Sequence, residues 1–188
     1  LSSYRVFGSH QLNGSPALKL LENVYPEPSD LLGQSLLAAE NIVLEQANNI
    51  VLRVPWSLMS CSQAPEDDGL LDSVCKALLS GTELFVSEEV SGFVISWSEV
   101  ARIITAMIQQ VLCGAESWGV FHLRSSDSCS EAEFADAVAR LLKAEGFNVA
   151  RLVAIKGAGS LMHNSALLSG RRSTDDFGVQ QRSFRIGL

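Results

Sequence analysis

Residues 30–45, DLLGQSLLAAENIVLE, and residues 49–56, NIVLRVPW, decide the fold class between them. In the first, Leu32, Leu36, Ala39, Val43 and then Ala47 recur near helical spacing, and Ser29-Asp30 offers a side-chain oxygen to cap the first turn. In the second, a continuous run of β-branched and leucine residues ends at Pro55, the pattern of a strand covered on both faces. A helix feeding a buried strand is the second half of a βαβ unit, so the sequence predicts an α/β fold.

The flanking segments continue the alternation. Residues 3–7, SYRVF, have strand character, and residues 8–28 form a long irregular segment containing three prolines, the composition of a functional loop. The acidic stretch 62–69, SQAPEDDG, is the best internal boundary. Beyond it, LLDSVCKALLSG reads as a helix stopped at Gly81, TELFVS as a short strand, SWSEVARIITAMIQQVLCG as a capped amphipathic helix, and GVFHL as a strand. CSEAEFADAVARLLKAEG has a capping-box start, Ser130 with Glu133, and a glycine stop at Gly146. The polar tail is expected to dock one last short helix.

Composition narrows the partners. The net charge is −7 and the 14 Lys and Arg are scattered, which argues against nucleic acid and anionic membranes. Cys61, Cys75, Cys113 and Cys129 lie far apart without metal-ligand spacing, so no metal site or disulfide framework is expected and the thiols read as reduced, in a cytoplasmic protein. VARIITAMIQQVL is too short to cross a bilayer and is broken by Arg102, Gln109 and Gln110. An apolar opening at residue 1 without Met reads as the second part of something longer.

In order and spacing, LSSYRVFGS, LLGQSLLAAE, LRVPWSLMS, EEVSGFVISWSEVA, GVFHLRSSDSCSEAEFA and MHNSALL resemble the motifs of extended short-chain dehydrogenase/reductases, most closely the dTDP-4-dehydrorhamnose reductase group. The resemblance implies the second half of a Rossmann-like NAD(P)-binding domain over residues 1–60 and a smaller α/β, mostly helical, substrate-binding domain over 61–188. It implies NADP or NAD as cofactor, with Pro55 at the cofactor. The phosphate-binding glycine loop would precede Leu1, so none is expected from this segment alone. A sugar nucleotide or related small molecule is the implied ligand, with Trp56 and Asn164 as substrate-binding residues.

The same resemblance places a catalytic Tyr and Lys four residues apart on one helical face. Those positions hold Leu32 and Leu36, and neither can donate a proton. Ser3 keeps a position where the resemblance has Ser or Thr. Glu88-Glu89, Phe93-Val94, Met59-Ser60 and Met162-His163 depart from the pattern, each losing a polar contact. The expected function is a catalytically degenerate sugar-nucleotide reductase-like protein acting in binding or regulation. The alternative is an active NAD(P)-dependent reductase or epimerase with a relocated proton donor, for which Tyr25 stands ahead of Tyr4 and His10. GAGS at 157–160 reads as a loop, His122 as a structural histidine, and Glu88 and Glu89 as solvated carboxylates. The ending QQRSFRIGL resembles that of the methionine adenosyltransferase regulatory beta subunit, which implies a protein partner as an alternative to a homodimer. If this segment stands alone, SYRVF and NIVLRVPW are expected to present unpaired edges.

Overall fold

The computed structural model describes residues 1–12, 19–58, 70–156 and 164–186. The GAGS stretch, the 62–69 boundary, Cys61, Met59-Ser60 and Met162-His163 lie outside them. The described elements run β1 (Ser2–Ser3), a 3-10 turn (Tyr4–Val6), α1 (Ser9–Leu12), α2 (Leu31–Leu44), β2 (Ile50–Val54), β3 (Trp56–Leu58), α3 (Leu70–Ser80), β4 (Glu83–Ser87), β5 (Ser91–Ser96), α4 (Trp97–Leu112), β6 (Gly119–His122), β7 (Ser128–Ser130), α5 (Glu131–Ala144), β8 (Arg151–Ile155), α6 (Arg171–Phe177) and a 3-10 turn (Phe184–Ile186). The chain is α/β with parallel sheets, as its sequence pattern predicts.

One sheet has the order β1-β2-β6, all parallel. β2 is therefore central, with both edges paired, contrary to the expectation that NIVLRVPW would present an open edge. SYRVF is a strand only at its start, because the Ser3 hydroxyl accepts the Arg5 N–H and the Phe7 N–H donates to the Tyr4 carbonyl, which turns the chain. β6, at residues 119–122, pairs along β2, so the chain re-enters the first sheet from beyond residue 60.

The remainder sets strands among its helices, in keeping with the expected α/β character. β5 pairs in parallel with β3 and antiparallel with β7, while β4 and β8 form a parallel pair. β5 went unread because SGFVIS lacks polar alternation: all four residues from Gly92 to Ile95 are buried.

Register sorts side chains onto opposite faces of the first sheet. Leu52 faces the same side as its neighbour Phe121, and with Val54 and Leu123 they pack against Val100, Ile103 and Met107 of α4 and Phe177 of α6. Each such side chain, fully buried, contributes about 1.5–3 kcal/mol. The α4 start is fixed by Ser96, whose hydroxyl accepts the Glu99 N–H. A second core joins Trp56 and Leu58 to Val74 and Leu78 of α3, Leu84 and Val86 of β4, and Phe134, Ala135 and Val138 of α5. The capping box predicted at Ser130 and Glu133 is formed with both hydrogen bonds. In the tail, α6 docks as expected, and Phe184 within QQRSFRIGL is buried in this second core.

Candidate functional site

Arg53 and His122 are register partners on the α2 face of the first sheet, where alternation would otherwise place hydrocarbon. The face tolerates them because α2 presents Glu40. Arg53 Nη2 donates to Glu40 Oε2 at 2.6 Å and Nε to Glu40 Oε1 at 3.0 Å, with both side chains 3% exposed. Such a two-point contact is what makes a buried charge pair tolerable. His122 Nδ1 meets the Leu20 carbonyl at 3.1 Å and Nε2 lies 3.4 Å from Arg53 Nη1. Burial first, and then the Arg53 charge, push its pKa down to about 3, so the ring is neutral. A neutral ring protonated on Nδ1 satisfies both contacts. Phe7 closes the layer, with Arg53 Cζ 5.0 Å from its ring centroid and His122 edge-on at 5.8 Å.

This charged layer ties α2 to β2 and β6 and so sets what the start of α2 offers at the C-terminal edge of the strands, where open α/β sheets bind ligands. The start is well defined, because Asp30 accepts the Gly33 N–H at 2.7 Å and pairs with Arg5 at 2.7 Å. Those contacts, the Gly33 bond first, hold its carboxyl below the usual range. Gly33 is needed there, since a Cβ would meet the Arg5 carbonyl oxygen at 2.2 Å. In the turns that follow, Leu32 is 49% exposed and Leu36 packs into the apolar cluster of Val6, Phe7, Leu12 and Leu168.

Around this edge stand the other residues singled out from sequence. Ser3 is half-buried, pairs with Val54 and spends its hydroxyl on the Arg5 N–H. Pro55 is buried between β2 and β3. Trp56 is 4% exposed and lies flat against the backbone of β5, where a Cβ at Gly92 would meet three indole carbons at 2.8 to 2.9 Å. Its Nε1 is buried without a properly aligned acceptor, although the Tyr4 side chain is near enough to be affected by it. Asn164 is half-buried beside Ser165, whose hydroxyl accepts the Ser91 N–H, and Ala166 bridges to Gly92. Tyr25 stands apart at 77% exposed, and His10 pairs at the surface with Glu27. Glu88 and Glu89 are exposed, in the turn after β4.

The structure thus gathers Ser3, Pro55 and Trp56 at one sheet edge and leaves Tyr25 in solvent. Two features escaped the sequence reading. The Glu40–Arg53–His122 layer was written in the motifs themselves, a Glu late in the helix and an Arg inside an apolar strand, and a charge in a buried run is the signal that calls for a partner. Tyr4 was weighed, but placed behind Tyr25, which lies in the loop just before the helix. In the fold Tyr4 is half-buried next to Ser3 and Trp56, and burial pushes its phenol above the ordinary value.

The resemblance would have position 36 hold a nicotinamide ribose. A leucine packed among Val6, Phe7 and Leu168 does not fit hydroxyl groups, and Leu32 gives the carbonyl partner no donor. The residues of this chain do not fit that part of a dinucleotide.

Solved structures with this fold include the dTDP-4-dehydrorhamnose reductase of Bacillus anthracis in complex with NADP, at 17% identity and a TM-score of 0.72, over 99% of this chain and 61% of that one. The orthologue from Clostridium acetobutylicum superposes with a TM-score of 0.73 at 16% identity, over 98% of this chain and 61% of that one. Bordetella bronchiseptica WbmG, solved with NAD and UDP, gives 0.72 at 17% identity, over 96% of this chain and 53% of that one. This chain therefore spans about three-fifths of the length of the two reductases, and at these identities the likeness shows the fold. No curated protein sequence matches it. The family model described as the RmlD substrate binding domain matches residues 1–188, and the chain belongs to that family.

Proposed function

We propose that this chain is the sugar-nucleotide-binding portion of a dTDP-4-dehydrorhamnose reductase-like protein that binds its ligand at the C-terminal sheet edge but lacks the proton-transfer pair, serving in binding or regulation. The observation that carries the reading is the hydrocarbon at Leu32 and Leu36 in a helix that is otherwise correctly capped and anchored. A leucine can neither protonate a carbonyl oxygen nor lower the pKa of a neighbouring phenol. Retention of Ser3 and Trp56 at the same edge supports ligand binding without the chemistry. NAD(P) chemistry would require residues beyond those of this chain.

Assay of the intact protein with NADPH and a 4-keto sugar nucleotide is expected to give no oxidation of NADPH above background. Turnover would remove the reading and favour the relocated donor. Tyr4 would then be the group to test, since it is half-buried beside Ser3 and Trp56 while Tyr25 is 77% exposed. In an active preparation, Tyr4→Phe would abolish the rate and Tyr25→Phe would leave it unchanged.

A further inference from the structure

Two stretches of chain cross side by side from the first sheet to the second core. One is residues 123–127, between β6 and β7; the other is residues 178–184, which run from Phe177 and Val179 in the first core to Phe184, 3% exposed, in the second. The crossings are tied to each other. The Ser126 N–H donates to the Arg182 carbonyl at 3.0 Å, the Ser183 hydroxyl donates to Asp127 Oδ2 at 3.0 Å, and Arg185 pairs with the same carboxylate. The other oxygen, Asp127 Oδ1, takes the Ser126 hydroxyl at 3.3 Å. Just upstream, Arg102 of α4 donates to the Gln180 carbonyl at 2.6 Å.

Packing does not replace these ties. Phe184 is the one buried side chain among residues 182–186, and Ile186 is 78% exposed. A cavity of about 90 Å3 lies beneath the segment, with Ser96, Ser98 and Ser125 on one side and Ser183 and Ile186 on the other. Atoms lining a void forgo their dispersion contacts, so one ring and a few polar bonds carry the attachment. The Asp127 side chain is 28% exposed and that of Arg185 58%, so water can replace the pair and salt screens it. Such a segment opens at low free-energy cost while the fold stays intact. The crossing that it holds leaves β6 at the C-terminal end of the strands, where open α/β sheets bind ligands.

We propose that residues 182–186 form a strap whose engagement with Asp127 holds the β6–β7 crossing, and thereby sets the affinity of the sheet edge for its ligand, a sugar nucleotide on the reading given above, on which this choice of ligand rests. Asp127 is a positioning residue, since it acts on the edge through residues 123–127 and touches no ligand itself. Engagement of the strap and binding of the ligand favour one another by the same factor, because coupling between two sites is reciprocal.

Calorimetric titration of the intact protein with UDP, paired with amide hydrogen exchange, tests the strap. Asp127→Ala is expected to weaken UDP about fivefold or more, Arg185→Gln by less, and Arg185→Lys should recover part of the loss. Saturating UDP should slow exchange of the Ser126 amide in the parent by a similar factor and have little effect in Asp127→Ala. Arg171→Gln, at a surface pair with Asp175, should change neither readout. Circular dichroism of Asp127→Ala should match the parent, and Arg185→Gln, at an exposed position, reports on the strap should Asp127→Ala fail to fold. A lowered unfolding midpoint with UDP affinity and UDP-dependent exchange both unmoved would make Asp127 a stabilising residue only and overturn the strap, while the sugar-nucleotide reading survives. NADP binding that depends on Asp127, with no binding of UDP, would keep the strap and remove the sugar-nucleotide reading; no binding of either at millimolar concentration would overturn both.

Discussion

In its second half α2 buries a carboxylate, Glu40, against Arg53 at 2.6 Å, whereas in its first two turns it presents Leu32, half-exposed, and Leu36, packed on hydrocarbon. The two ends are parts of one helix, capped by one aspartate and held by one sheet. The difference teaches that the polar groups which fix a helix in place and those which do chemistry are separable. The first are satisfied within the chain, so their removal leaves an orphaned charge. On the proposed reading the second would face a ligand, and their replacement would leave the scaffold intact.

The largest test of that contrast is Glu40→Leu. It strands the Arg53 guanidinium beside Phe7 and His122, and removing one partner of a buried pair costs about 3–5 kcal/mol. Denaturant unfolding at neutral pH should show a lower midpoint with little change in slope. Adding Arg53→Met removes the stranded charge, and the double variant should recover most of the loss. A loss under about 1 kcal/mol in the single variant would break the comparison, since the anchoring end would then be as dispensable as the ligand end.

Acid titration comes next in size. His122 has a folded pKa of about 3, below its unfolded value near 6.5, so between these limits the unfolded chain binds the extra proton. Stability is therefore full above pH 6.5 and falls as the pH is lowered, by about 2 kcal/mol at pH 5 from this residue alone. The groups facing the ring include the Arg53 guanidinium, itself paired with Glu40, and Glu22, whose carboxylate accepts the His122 N–H. Burial pushes the Glu22 carboxyl up, and its titration works in the opposite sense, so the net loss is smaller than the histidine alone gives. Thermal unfolding followed from pH 7 to 5 should slope downward, and His122→Gln should flatten it. An unchanged slope in the variant would remove His122 as the source.

How far the sequence carries these statements follows from the same separation. α2, β2, α4, α5 and β6 were legible because each has a local signal: a cap oxygen, a helical or continuous apolar period, a glycine stop. β8 and β5 were not. Residues 151–155 are partly exposed with no clean alternation, and the apolar run of β5 flows directly into the helix that follows. Leucine at positions 32 and 36 was legible from motif position alone, and the loss of proton transfer it implies belongs to the proposal. The charge layer beneath those positions needed the register, because only the pairing of Arg53 with His122 shows that the two share a face with Glu40. The ties on Asp127 needed tertiary structure altogether, since Asp127 lies far along the chain from Ser183 and Arg185 with no spacing to link them.

The smallest expected effect is at the ligand end. Leu32 is 49% exposed one turn from the Asp30 cap, so Leu32→Tyr adds a ring largely in solvent and should shift stability by no more than about 0.5 kcal/mol. It should also leave NADPH oxidation at background, because a lone phenol titrates near pH 10 and position 36 supplies no ammonium to lower it. Unfolding and turnover measured on the same preparation separate two ways of failing. A cost above about 1 kcal/mol would make Leu32 a packing residue, and the two ends of α2 would then both be structural. Turnover gained from this one substitution would mean that the edge still holds cofactor and carbonyl in register, with the donor the single part missing.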